Sequence, residues 1–241
     1  MSRFIPRNLS DYENLYREST DNIEKFWSEF AEQEFVWKKK WDSVLDYNLS
    51  SNPEQLSVKW FDGAVLNITE NCIDRHLEKR GDQTAIIFEA NDVNEASLHI
   101  TYSELAENVN KTANMLKANG AKKGDRICLY MPMTPELEYA VLACARIGAI
   151  HSVVFAGFSS KSLADRINDA QCNIVLTADG GFRGTKITDL KGITDEALKT
   201  CPSVEKVIVL NRCNNAVEMV ADRDVSWHKE FEKASAVCAA E

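Results

Sequence analysis

Residues 126–158 read RICLYMPMTPELEYAVLACARIGAIHSVVFAGF: an uncharged strand, a nearly all-apolar helix, and a second apolar strand running into a glycine turn. Strands without polar alternation must be buried on both faces, and two of them joined by a crossover helix belong to a parallel sheet covered by helices. Such sheets bind ligands beyond their strands' carboxyl ends, which is where the 156–159 loop lies. Local signals in the helix agree. Thr134 stands at the N-cap, Pro135 in the first turn, Glu136 and Glu138 at the positive end, and Arg146 near the negative end before Gly148. Its middle, 139–145, has no polar face apart from a cysteine and must be covered on every side. That predicts a place between two sheets or under the N-terminal segment.

The alternation extends to both sides. A helix is expected at about 70–80, strands at 84–88 and 98–100, and a helix over 102–119 that opens on a Thr101–Glu104 capping box and closes at Gly120. Strands at 126–130, 151–155, 174–177 and 204–210 then alternate with helices at 135–147, 160–170 and 189–200, and a short helix near 227–234 ends the pattern. This predicts an α/β fold with a mainly parallel, doubly wound sheet flanked by helices over residues 68–241. Residues 1–67 differ: they hold four of the five tryptophans and show no strand–helix alternation. Ile23, Phe26, Trp27 and Phe30 recur at helical spacing after Thr20–Asp21, which predicts a helical segment packed on the main domain.

At 241 residues, the chain can bury roughly 70–75% of its extended surface. With 44% hydrophobic and 27% charged residues it has the composition of a globular protein. A formal charge of −9 disfavours nucleic acid and anionic membrane as partners, so an anionic small molecule must be met by a local basic patch. The seven cysteines form no C-x-x-C pair, are odd in number and fall mostly in apolar stretches, as expected of reduced core residues in a cytoplasmic protein. The first residues lack an apolar leader, and no run approaches the ~18 apolar residues of a spanning helix.

No metal site is expected. Cys72 and His76 share a helix face, but no second pair has ligand spacing, so a half-buried polar pair is the simpler reading; His99, His151 and His228 stand alone. Neither G-x-G-x-x-G nor a Walker-type loop occurs. Two loops remain. In ADGGFRGTK, 178–186, three glycines permit a tight turn and close approach, while Arg183 and Lys186 supply two cations. In FAGFSS, 155–160, Gly157 precedes a helix start that Ser159 or Ser160 caps. Both loops follow strands and should open on one sheet edge.

ITYSEL at 100–105, CLYMPMTPELEYAVLACARIGAIHSVVFAGFSS at 128–160 and VKWFDGAVLNITENCIDRH at 58–76 resemble the AMP-forming acetyl-CoA synthetases of the adenylate-forming superfamily, with likeness over about 12–234. The resemblance implies a two-step ligase. Acetate attacks ATP to give acetyl-adenylate and pyrophosphate, and the CoA thiol then displaces AMP, with Mg²⁺ shielding the phosphates. It also implies that Gly157 and Arg183 contact CoA, with the arginine near its phosphates, and that Lys186 stands where the family has a second arginine. Family members are more than twice as long. The ATP phosphate loop, acetate pocket, ribose-holding aspartate and C-terminal lysine domain therefore lie outside these residues, and no catalytic residue is expected among them. The expectation is an N-terminal part, inactive alone and holding no cofactor tightly, of an acetate- or propionate-activating ligase. A noncatalytic CoA-binding or regulatory module is the alternative. Oligomeric state is left open.

Overall fold

A computed structural model describes residues 2–241. The chain forms two compact units, one running through Asn71 and the other Cys72–Glu241.

The first unit begins with helices α1 (Leu9–Asp21) and α2 (Ile23–Glu34). Asn8 caps α1 by accepting from the Asp11 N–H, and the expected amphipathic helix starts after Asn22, one to two residues past the Thr20–Asp21 signal. Beyond them, β1 (Ser43–Asn48) and β2 (Ser57–Asp62) pair as an antiparallel hairpin, with Leu45 opposite Trp60 and Tyr47 opposite Val58. The sequence pattern anticipates the helices but not this hairpin. Trp27, Trp37, Trp41 and Trp60 explain the unusual composition, because they join Phe26, Phe30, Phe35 and Phe61 in a chain of edge-on and tilted ring contacts.

In the second unit, a π-helical turn (Glu70–Asp74) leads into α3 (Arg75–Arg80). β3 (Thr84–Phe88) and β4 (Leu98–Thr101) form their own antiparallel pair rather than joining the parallel sheet. α4 (Tyr102–Ala118) opens on the predicted capping box, in which Thr101 accepts from the Glu104 N–H while Glu104 accepts from the Thr101 N–H. These hydrogen bonds, from the Thr101 backbone first and its hydroxyl second, hold the Glu104 carboxyl below its ordinary pKa.

The chain continues through β5 (Arg126–Leu129), α5 (Pro135–Arg146), β6 (Ile150–Val153), α6 (Ser160–Ala170), β7 (Ile174–Ala178), β8 (Gly181–Arg183), β9 (Lys186–Thr188), α7 (Leu190–Leu198), β10 (Lys206–Leu210), β11 (Asp224–Ser226) and α8 (Trp227–Lys233). Five strands make one parallel sheet in the order β11-β10-β7-β5-β6. From β5 the chain moves outward to β6, then returns past β5 to β7. Right-handed crossovers in opposite directions put successive helices on opposite faces, as a doubly wound sheet requires. α4, α5 and α8 accordingly form one layer, and α6 and α7 pair elsewhere, with α7 on β7.

α5 is covered by β5 and β6 and by α4, so a helix takes the place of the expected second sheet. Tyr139, Ala140, Ala143 and Cys144 are buried, while Val141, Leu142 and Ala145 are only partly covered. Five of the seven cysteines are buried and all seven are free. Burial pushes the Cys144 thiol up to about 12. No helix among the described residues is long and apolar enough to cross a membrane.

Charged side chains are buried at Arg146, Asp179 and Lys191, and the last is the centre of a network. Lys191, with its side chain 1% exposed, donates to Asp195 at 2.6 Å and to the Glu218 carbonyl at 2.9 Å, and pairs with Asp224 at 2.9 Å. Arg223 bridges the same two carboxylates at 2.7 and 2.6 Å. Burial alone would raise the Asp224 pKa. Hydrogen bonds from Arg223, the Val220 N–H and Lys191 outweigh it and hold the group below its ordinary value.

We expect Asp224→Asn to cost about 2–3 kcal/mol at neutral pH, less than the roughly 3–5 kcal/mol of a fully orphaned buried charge, because Asp195 still faces Lys191. The folded-state pKa lies below the unfolded value of about 4. The stabilisation is therefore complete above about pH 5 and is lost as pH falls from there through the folded value. Urea unfolding at stepped pH should show the wild-type advantage narrowing below about pH 4. An advantage that does not change with pH would remove the ionised carboxylate from the account.

Candidate functional site

The sheet order reverses between β5 and β7, and the loops leaving that edge diverge to open a crevice. A cleft of about 340 Å³ lies there. Four strand ends contribute: Pro132–Thr134 after β5, Phe155–Gly157 after β6, Gly181–Arg183 after β7 and Arg212 after β10. Phe88 at the end of β3, with Glu89 and Asn91 after it, closes one side.

The loop after β6 is pinned from below. Tyr130, wholly buried, donates its hydroxyl to the Phe158 carbonyl at 2.8 Å, and the Phe158 N–H donates to the Phe155 carbonyl at 3.0 Å. Burial raises the Tyr130 pKa, so the phenol stays protonated and keeps donating. Ser159, not Ser160, is the N-cap of α6 and accepts from the Ser162 N–H at 3.3 Å. A Cβ at Gly157 would lie 2.5 Å from the Phe155 ring, so a side chain there would push that ring from its place along the cleft wall.

The glycine-rich segment after β7 is a hairpin, with Arg183 paired to Lys186 across the two-residue loop Gly184–Thr185. Gly184 has φ +59°, the positive value a tight hairpin loop demands. Asn91 clasps this turn, donating to the Gly184 carbonyl at 2.8 Å and accepting from its N–H at 3.0 Å. Gly157 and Arg183 thus share one cleft, as expected of two loops on one edge. Lys186 sits beside Arg183 on β9 but does not line the cleft.

Two contributors carry no sequence signal. Asp179, at the end of β7 and 2% exposed, accepts from the N–H groups of Arg212 at 2.7 Å, Cys213 at 2.9 Å and Asn215 at 2.8 Å. It thereby folds the 211–215 loop over the strand edge and delivers Arg212 to the cleft. The arginine's Cζ lies 5.2 Å from the Phe182 ring centroid, and its guanidinium meets Glu95 at 2.9 Å. Both residues follow a strand's carboxyl end, and that position was the only available clue.

Among the described residues no group of three or more His, Cys, Asp or Glu is gathered that could hold a metal ion. Cys72 lies on the π turn and His76 on α3, with its ring 5.3 Å from that of Tyr102. His151 is exposed on β6, and the His228 ring lies 3.2 Å from the Asn211 carbonyl. The cleft lining combines two arginines that suit anions, the carboxylate of Glu89, aromatic and apolar walls, and backbone that a ligand can approach closely.

Comparison with known proteins follows the same boundary. Residues 73–238 match the family model described as AMP-binding enzyme, and residues 12–72 match that of the acetyl-coenzyme A synthetase N-terminus. The chain belongs to the AMP-binding enzyme family. It is 50% identical over 231 residues to the acetyl-coenzyme A synthetase of Magnetococcus marinus, which covers 96% of this chain and 35% of that protein. It is also 50% identical over 234 residues to acetyl-coenzyme A synthetase 2 of Pseudomonas aeruginosa, covering 97% of this chain and 36% of that protein. The chain spans about a third of the length of the relatives it matches. The fold is shared with acetoacetyl-CoA synthetase from Streptomyces lividans at a TM-score of 0.83 and 24% identity, over 95% of this chain and 34% of that one.

Removing the Asp179 carboxylate leaves the turn N–H groups to water or to nothing, so Asp179→Ala should cost about 1–2 kcal/mol. For a chain of this size that lowers the thermal midpoint by about 3–6 °C. An unchanged midpoint in calorimetry would mean that the 211–215 turn holds itself.

Proposed function

We propose that this chain is part of an AMP-forming acetate–CoA ligase and contributes one wall of its CoA site. The observation that carries the reading is the meeting of Gly157 and Arg183 in one cleft at the carboxyl edge of the sheet, in a chain 50% identical to named acetyl-coenzyme A synthetases over nearly its whole length. In the first half-reaction a carboxylate oxygen of acetate attacks the α-phosphorus of ATP, and the bond to pyrophosphate breaks. In the second, the CoA sulfur attacks the acyl carbon of acetyl-adenylate, and AMP leaves with the bonding pair.

On this reading, residues 1–241 bind and orient; none of them is assigned to the bond-making steps. Arg183 offers a planar fork to a phosphate, the Gly157 backbone lets the ligand pass close, and the exposed Phe155 and Phe182 rings supply apolar wall. Lys186, outside the cleft but beside Arg183, adds a point charge without the two-pronged geometry of an arginine. Mg²⁺ enters only as the companion of the ATP phosphates, with no ligand assigned to it in this chain. We place the reaction in the cytoplasm, where seven free cysteines stay reduced.

In the full-length protein, Arg183→Ala should raise the KM for CoA about tenfold, the effect of losing one charge-assisted contact. Acetate-dependent ATP–pyrophosphate exchange, which precedes thiol attack, should stay within about twofold. Equal losses in both assays would move Arg183 out of the CoA site. The 241-residue chain alone should support neither half-reaction, and pyrophosphate exchange by it would overturn that assignment of roles.

A further inference from the structure

We infer that Arg212 is a second phosphate-binding residue of the cleft, held at rest by Glu95, so that a phosphate-bearing nucleotide binds by exchanging with that carboxylate. This inference rests on the nucleotide reading proposed above.

Three observations lead to it. Arg212 lines the same cleft as Arg183, with its guanidinium over the Phe182 ring. Its backbone is fixed by the buried Asp179 carboxylate, so the side chain starts from a rigid base at the strand edge. Its guanidinium engages Glu95 through Nη2 alone, with both carboxylate oxygens 2.9 Å from that one nitrogen. Nε and Nη1 have no hydrogen-bond partner among the described residues, although an arginine fork is suited to a two-point contact.

The arginine side chain is 21% exposed and the glutamate 37%, so the pair is open to water and readily exchanged. Glu95 sits on a local turn, its N–H donating to the Asp92 carbonyl at 3.0 Å. It can release the arginine without disturbing a strand or helix. CoA and ATP both carry the required phosphate chemistry.

The experiment is calorimetric titration of the full-length protein with CoA and, separately, with ATP, using wild type, Glu95→Gln, Arg212→Gln and the double variant. Both positions are partly exposed, and unchanged thermal midpoints would confirm that the variants fold. For the nucleotide whose phosphate meets Arg212, Arg212→Gln should weaken binding about tenfold and Glu95→Gln should tighten it about threefold. In the Arg212→Gln background, Glu95→Gln should change nothing, because the competitor no longer has anything to hold. The arm that responds, CoA or ATP, identifies the source of the phosphate.

Weaker or unchanged binding in Glu95→Gln, or wild-type affinity for both nucleotides in Arg212→Gln, overturns the inference. If Arg183→Ala weakens CoA binding while the Glu95 and Arg212 variants do not, this inference fails and the CoA reading stands. If wild type binds neither nucleotide, the reading itself fails and takes the inference with it.

Discussion

The burial of the central strands of the parallel sheet governs the rest of this molecule, while the edge strands β6 and β11 stay exposed or only partly covered. β7 is buried at every position, and β5 is buried at three of four. Such strands have no solvated face on which a ligand could sit, so function is driven to the sheet's edge. Their order then decides where on that edge. Because the chain runs from β5 out to β6 and back past it to β7, the loops leaving β5 and β7 must part, and the cleft forms where they do. The apolar composition of the strands thus fixes the location of the site even though none of those apolar side chains takes part in it.

How legible this was depended on whether the determining interaction is local. α4 and α6 were legible because each carries its own cap: Thr101 with Glu104 for one and Ser159 for the other. β5, β7 and β10 were legible because apolar runs between turn signals have few other uses, whereas β6 (IHSV) is a mostly exposed edge strand and not the strand buried on both faces that was expected. The hairpin of β8 and β9 was not legible. Its strands are three residues long and its sequence is glycine-rich, so composition says loop, and only the clasp from Asn91 some ninety residues earlier gives the turn its place. β1 and β2 fail for a similar reason, since their register rests on cross-strand partners rather than on alternation along either strand.

The site divides along the same line. Gly157 and Arg183 were legible as two loops on one edge, and the structure puts both in the cleft. Lys186, equally basic and three residues away, lies across the turn at Gly184 on β9 and does not line it. Arg212 was invisible: NRCNN has no motif, and its significance comes wholly from Asp179 thirty-three residues earlier in the chain. A carboxylate directly after an apolar strand is the signal that could have been followed, since a buried aspartate at a strand end must find donors and the next strand's exit loop is the nearest supply.

The two kinds of charge pairing in this chain show why the cleft can answer to a ligand while the core cannot. Lys191 and Asp224 are enclosed, and separating them would leave a charge without water, so they stay together whatever binds elsewhere. Arg212 and Glu95 are wet, and an exposed pair contributes about 0–1 kcal/mol. A charge-assisted contact to a desolvated phosphate contributes about 1.5–3 kcal/mol. The comparison gives the exchange proposed for the cleft its direction: the ligand gains more from the arginine than the glutamate loses. It also separates stability from recognition. The interactions that hold the fold are those water cannot reach, and the ones left for the ligand are those that water has already weakened.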